Sequence, residues 1–441
     1  MKNEWLDEKV VVSDDPRRVP ADPKFIKGPE GTLVLTGGRI FDGTGKPIFE
    51  GTVVLEHNKI KAVLPAGSTD WASDAEVIDL NGKTILPGLI DMHTHLTDSD
   101  QGLPISITLS EADQTLRGLE RMRYYIESGI TSVRDVGSHG TVPFRLKEWS
   151  AQNRIPGPRI FAAGQFITGT GGHAAQFLDE RNAAYGLVIE ASGPDDWRNI
   201  VRKMYKNGAD LIKTGSHFSR EEIKAAIDEA HALNIKITSD AERYYVQWAV
   251  EEGIDMIEHC LPCSDEAIKL MAEKKVDVIP TLLIYDIIDK YIGGYYGSTT
   301  RKFQITKRSV KNHVKKLKKA GIKLGIGTDL SLNMFRYLPD PYIGELVKFL
   351  QVGFNTEETL IASTRINAEI LGMEDKLGTL EVGKLADVLI IDGKPDQDLF
   401  ALRNVEMVIK DGFIVVKDGR LNIERHPDIE YPREQTSEFV L

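Results

Sequence analysis

The chain of 441 residues contains only two cysteines, Cys260 and Cys263. A single C-x-x-C pair excludes a disulfide-built scaffold and a four-cysteine zinc ribbon. A redox reading of EHCLPCSD rests on that spacing alone, and two reduced thiols packed near a strand end are the plainer expectation. Long apolar runs are missing too. No stretch of about 18 or more apolar residues occurs, so no membrane-spanning helix is expected. The start, MKNEWLDEKVVVSDDPRR, has no basic region followed by an apolar run, and a cytoplasmic protein is the expectation. Positive charge is in deficit, with 55 Lys plus Arg against 66 Asp plus Glu and a net charge of −11. Nucleic acids and anionic membranes both want clustered positive charge, so the expected partner is a small molecule.

What is present is ordinary in amount: 41% hydrophobic and 27% charged residues describe a soluble globular chain, so class must come from pattern. Residues 1–31 are polar, with four prolines, and read as an extension. Over 32–87 short strands alternate with turns, including a His-Asn turn inside TVVLEHNKIKAVLPAG. From 88 to 372 the texture becomes strand-like runs alternating with amphipathic helices. The strand candidates are LIDMHTHL, TSVRDVG, RIFAAGQFI, ADLIKTG, IKITSDA, DMIEHC, VDVIPTLLI and IKLGIGTDL. Ser219 followed by Glu222 forms a capping box at one helix start. Eight such units predict a (β/α)8 TIM barrel. Short strands return over 373–423, so a small β-sandwich built from both chain ends is expected. Residues 424–441 read as a charged tail.

In such a barrel the chemistry sits at the C-terminal strand ends. The first end offers His93 and His95, whose i, i+2 spacing turns both rings to one side and suits a shared metal ion. The fourth offers Lys213, the fifth Asp240 and Glu242, the sixth His259 and the eighth Asp329. Each has a plain structural explanation alone; their convergence on one face is what argues for a site. His173 lies in the glycine-rich GTGGHAAQF after strand three and reads as a substrate contact. His139 and His217 also follow strand ends and read equally well as solvated loop residues. Tyr285, Tyr291, Tyr295 and Tyr296 lie in a long segment after strand seven, YDIIDKYIGGYYGSTTRKFQ, which is read as a loop and a lid.

Over roughly residues 32–423 the chain resembles the amidohydrolase superfamily of metal-dependent hydrolases. LPGLIDMHTHL, IEHC, GTDL and NAEILGMEDKLGTLEVGKLADVLIIDG carry the resemblance. VRDVG, TGTGGHA and the placing of Lys213 make it most similar to the imidazolonepropionase and Xaa-Pro-type dipeptidase branch. The resemblance implies a cytoplasmic homo-oligomer holding one or two zinc ions, or manganese, and hydrolysing a C–N bond. His93 and His95 would bind the first ion with Asp329, which also exchanges a proton with the attacking water. Lys213 would be carbamylated and bridge the ions, and His259 would bind the second.

At one ligand position the chain departs from the family. Strand five normally ends on a histidine, and here it carries Asp-Ala-Glu, Asp240 to Glu242, with a one-residue slip to Ser239 as the alternative register. Three readings stay open. Asp240 binds the second ion as a carboxylate ligand; or one ion sits on His93, His95 and Asp329, with Asp240 or Glu242 as base or substrate contact, a centre suited to deamination; or the chain is a metal-poor scaffold that keeps the fold.

Overall fold

Short strands from the two chain ends join one sheet. The computed structural model describes residues 28–98, 109–175, 186–260, 263–292, 295–296 and 303–422. The expected N-terminal extension up to residue 27, and the tail, fall outside them. β1 (Thr32–Ile40), β2 (Phe49–Glu56) and β3 (Lys59–Pro65) run antiparallel, with the predicted His57–Asn58 turn between β2 and β3. β4 (Glu76–Asp79) and β5 (Thr84–Pro87) pair parallel with β1.

Parallel strands follow in two sheets. The first holds β6 (Leu89–Thr94), β7 (Ile130–Asp135) and β8 (Arg159–Ala162). The second holds β9 (Phe166–Gly169), β10 (Val188–Ala191), β11 (Leu211–Gly215), β12 (Lys236–Asp240), β13 (Met256–Glu258) and β14 (Asp277–Ile279). A short hairpin, β15 (Tyr295–Tyr296) with β16 (Phe303–Gln304), comes next. Then β17 (Val388–Ile391) returns to pair with β5, followed by β18 (Val405–Lys410), β19 (Phe413–Lys417) and β20 (Arg420–Leu421). The Ile60 amide donates to Lys384 O just before β17, so the nine-stranded sheet curls back on itself around a core including Leu35, Val53, Ile85 and Ile390.

Hydrogen bonds link the two parallel sheets at both seams. Asp210 N donates to Ala162 O at the β8–β11 seam. At the other, residues 322–330 bridge β14 through Leu324 and β6 through Leu330. The regular strand expected over IKLGIGTDL is therefore reduced to isolated bridges. Asn367 takes one ladder position there: Ile326 N donates to its Oδ1, and its Nδ2 donates to Ile326 O and Ile90 O, while Met92 N still donates to Ile326 O and Asp329 N to His93 O. Asp91 adds to the seam by accepting Thr328 N at 3.0 Å and the Thr328 hydroxyl at 2.6 Å. Gly327 must be glycine, because a Cβ there would meet His93 N at 3.0 Å and an Ile279 methyl at 2.5 Å.

The seventh strand is also shorter than VDVIPTLLI suggested. It ends at Ile279, and Leu282–Ile292 is a helix. Both periods fit that apolar run, and length alone cannot separate them. The fully buried Glu345 accepts Leu282 N at 2.8 Å and Leu283 N at 2.6 Å, satisfying N–H groups of that helix's first turn. Burial pushes the Glu345 carboxyl up to about 8. A folded-state value above the unfolded one means stability that is fully present below about pH 4 and is lost as pH rises through about 8. We expect this group to pull the melting temperature down between about pH 4 and pH 8. In Glu345→Gln it starts lower and that part of the slope is absent; equal slopes in the two proteins would refute the assignment.

The two parts of the molecule meet through buried charge. Arg159 on β8 donates to Asp387 at 3.1 Å and to Asp411 at 2.6 Å, and both carboxylates come from the C-terminal part of the curled sheet. Among the described residues no helix is long and apolar enough to cross a membrane.

Candidate metal centre

His93, the fifth residue of β6, is fully buried, and His95 lies one residue past the strand end. The His93 Nδ1–H donates to Glu258 Oε2 at 2.7 Å. Glu258 ends β13 and is itself held by Arg134 Nη2 at 2.5 Å and the Thr238 hydroxyl at 2.6 Å. This chain of contacts sets the tautomer, leaving Nε2 of His93 as the lone-pair nitrogen. That Nε2 is buried and has no hydrogen-bond partner. The His95 Nδ1–H donates to Gly137 O at 2.7 Å. Asp329 Oδ1 lies 3.4 Å from His93 Nε2 and 3.2 Å from His95 Nε2.

A second group of donors lies beside the first. The His259 ring centroid is 4.8 Å from that of His93, and its Nδ1 lies 2.6 Å from the Thr281 hydroxyl. Asp240 Oδ2 is 3.6 Å from His259 Nε2 and 3.5 Å from His173 Nε2. β12 pairs Asp240 with Gly215 and Glu258, and Thr238, two residues earlier, reaches Glu258 from the same face. Alternation therefore turns Ser239 away, and the register in which Asp240 faces the histidines holds. Glu242 stands past the strand end and accepts the Ser216 hydroxyl. Several of these turns carry left-handed non-glycine residues, namely His217, Arg243, His259, Cys260, Thr281 and Asp329. Such conformations are tolerated when the surrounding contacts over-determine them.

The two neighbouring imidazoles differ: at His95 burial lowers the ring but the hydrogen bond and charge of Asp329 outweigh it and raise it, whereas His93 goes down. Burial drives His93 down to about 3, so its ring stays unprotonated. Burial pushes Asp329 up, but His93 and the hydrogen bond from His95 outweigh it and hold the carboxyl well below its usual range. Asp240 behaves alike, with burial overcome by His259, His173 and Lys213. Burial lowers the Lys213 amine, although Glu258, Asp240 and Asp329 oppose it. Glu242 goes the other way, raised to about 7 by burial and by the Asp240 charge.

His93, His95, His259, Asp240 and Asp329 are thus joined by direct contacts, with His173 at the edge and Lys213 coupled to them by charge. Tyr285 corrects the sequence reading. It sits on the helix Leu282–Ile292 rather than a loop, is fully buried, and packs edge-on against His259 at 5.9 Å, forming a wall. His139 is likewise buried rather than solvated, with Nδ1 2.8 Å from the Thr97 hydroxyl. Of the other tyrosines, Tyr291 closes the same helix and Tyr295 and Tyr296 form β15. The glycine-rich loop expected to face substrate continues beyond Ala175 into residues outside the described set. Glu258 and Arg134, which orient His93, are not singled out by strand-end position. Their signal was a charge inside an apolar strand, in DMIEHC and TSVRDV.

The model of the Amidohydrolase family matches residues 84–415. The chain belongs to that family. Imidazolonepropionase from Geobacillus sp. (strain WCH70) is 25% identical over 419 residues, spanning 85% of this chain and 92% of that protein. Among solved structures, an amidohydrolase superposes with a TM-score of 0.79 at 30% identity, covering 88% of this chain and 99% of its own. A prolidase complexed with N-methylphosphonate-L-proline superposes at 0.78 and 28% identity, covering 88% of this chain and 100% of its own. This amidohydrolase lies in the imidazolonepropionase and Xaa-Pro dipeptidase branch, and it is a hydrolase acting on C–N bonds.

The family generally uses divalent metals, and the residues present fit one. The buried, partnerless His93 Nε2 lies with donor atoms of His259 and Asp329 inside 4.8 Å. The imidazole of His93, held unprotonated by burial, and that of His259 beside an ionised carboxylate are a donor set for zinc or manganese.

Proposed function

We propose that this amidohydrolase cleaves the amide of an N-acyl amino acid, a dipeptide-like substrate or a cyclic amide, using divalent metal bound at the ends of β6, β11, β12 and β13 and at Asp329. The single observation that carries this reading is the buried His93 Nε2, oriented by Glu258 and left with no hydrogen-bond partner. His93, His95 and Asp329 would hold the first ion. His259, Asp240 and Lys213 would hold a second. A bound divalent ion supplies an acidified water and a polarised carbonyl.

The chain's own groups do the rest. Asp329 presents Oδ1 to the two imidazoles and is ionised, so Oδ2 takes the proton of the attacking water and returns it to the leaving amine. Lys213, its amine made less basic by burial, condenses with carbon dioxide to a carbamate and releases a proton. Glu242 and His173 border the pair of donor groups and contact the substrate. The prolidase neighbour with its proline phosphonate supports the N-acyl amino acid class.

Asp240 in place of an imidazole adds a negative charge to the second position and weakens the acidity of bound water. We expect Asp240→His to raise affinity for the second ion by at least about tenfold and to move the activity profile to lower pH. Elemental analysis of protein dialysed against graded free zinc reads the first effect; unchanged metal content would remove Asp240 from the ligand set.

The test of the whole reading is metal content per chain, with intact mass measured under conditions that preserve a carbamate, followed by assay on N-acyl amino acids and cyclic amides. Two ions, a carbamate and amine release support it. Failure to take up metal after incubation with zinc or manganese would sink it, leaving a non-catalytic scaffold.

A further inference from the structure

Outside the centre just described, a second set of metal-competent donors stands at the far side of the same turn. Cys260 immediately follows His259, and Cys263 directly precedes Ser264, the cap of the helix Asp265–Lys274. His313 comes from elsewhere, on the helix Lys307–Lys319. Cys260 Sγ and Cys263 Sγ are 3.9 Å apart, and Cys263 Sγ is 3.4 Å from His313 Nε2. All three donor atoms lie within 4.8 Å of one another. The Met271 thioether adds a fourth soft atom, 3.9 Å from Cys260 Sγ.

These separations can be compared with what an ion would impose. Tetrahedral zinc, with Zn–S of about 2.3 Å and Zn–N of about 2.0 Å, sets S···S edges of about 3.8 Å and S···N edges of about 3.5 Å. The observed edges agree with both. A disulfide needs its sulfurs at about 2.0 Å and makes no use of an imidazole. Local C-x-x-C spacing explains the two sulfurs being close; it does not explain a histidine from a helix 50 residues on turning its Nε2 onto Cys263.

We propose that Cys260, Cys263 and His313 form a second metal site that takes a soft divalent ion of the zinc class. Thiolate and imidazole donors select zinc over magnesium, calcium or manganese, whereas the barrel donors contain no sulfur. Each thiol gives its proton to solvent as it binds. The ion ties the turn carrying His259 to the helix Lys307–Lys319, fixing that turn from outside the barrel. This site does not depend on hydrolysis.

The experiment uses the full chain loaded with cobalt(II) as a spectroscopic substitute for zinc. We expect a thiolate-to-cobalt charge-transfer band in the near ultraviolet, which the sulfur-free barrel donors cannot produce. Cys263, the partly exposed thiol, should resist a thiol reagent with zinc present and react after chelation. Cys263→Ser should abolish the band, and His313→Ala should weaken zinc affinity at this site by on the order of 100-fold. His313 is only half-buried, so that variant serves if Cys263→Ser does not fold. No charge-transfer band in the cobalt-loaded wild type, a Cys263 thiol equally reactive with and without zinc, or unchanged affinity in His313→Ala would each overturn the site. An intramolecular disulfide formed in preference to metal uptake would overturn it as well and make the pair a redox couple.

Discussion

Asp329→Asn is expected to lower kcat by at least about a thousandfold, with the fold intact. Asp329 Oδ1 lies within 3.4 Å of the His93 and His95 imidazoles, and the carboxyl is held ionised against its partial burial. Asparagine keeps the shape and can still accept a hydrogen bond. It cannot take a proton from water and hand it to a leaving amine, and it is a weaker metal donor. Because the side chain touches both steps, adding excess metal should restore occupancy of the first ion before it restores turnover. Steady-state kinetics in titrated zinc, beside elemental analysis, separates the two. Turnover that recovers fully once the metal site is refilled would limit Asp329 to a ligand role.

The second large effect is expected at Glu258. Its carboxylate is fully buried between Arg134 at 2.5 Å, the Thr238 hydroxyl at 2.6 Å and the His93 Nδ1–H at 2.7 Å. Burial pushes it up, but Arg134 and His93 hold it far below its usual value. Glu258→Gln leaves Arg134 as an uncompensated buried cation, which costs about 3 to 5 kcal/mol. That is a large share of the roughly 5 to 15 kcal/mol by which folded domains are stable. Glutamine still accepts from His93 but without charge, so metal affinity at His93 should fall about 10- to 100-fold. Urea unfolding and competition with a chromophoric chelator read the two effects. The double variant Glu258→Gln with Arg134→Met should recover much of the stability, because the stranded charge goes with it. A loss under about 1 kcal/mol in Glu258→Gln would mean Arg134 reaches solvent or another acceptor.

The pieces legible in the sequence share one property, that local spacing implies direction. His93 and His95 read as a pair because alternate strand residues face one way, and β6 obeys that rule as far as Thr94. His259 and Asp329 read as strand-end residues because apolar runs stop there. The capping box at Ser219 and Glu222 marked a helix start to the residue. Where spacing served two elements equally, the reading failed. The run LLIYDII fits a strand continuation or a helix, and its spacing does not show that Tyr285 lies buried on a helix behind His259 rather than in a loop. Nothing in IKLGIGTDL announces that Asn367, some 40 residues later, accepts from Ile326 N in the place of a strand neighbour.

By itself, then, the sequence determined the alternation of strand and helix, the strand ends that carry chemistry, and the family to which those motifs belong. These follow from periodicity and from side-chain chemistry, both of which are local. Only the tertiary structure decided that Glu258 orients His93, that Asp240 rather than Ser239 faces His259 and His173, and that His313 meets Cys263. Each of those is a pairing between distant elements, and the distance between two buried polar groups is set by how the sheets join, a quantity no single segment encodes.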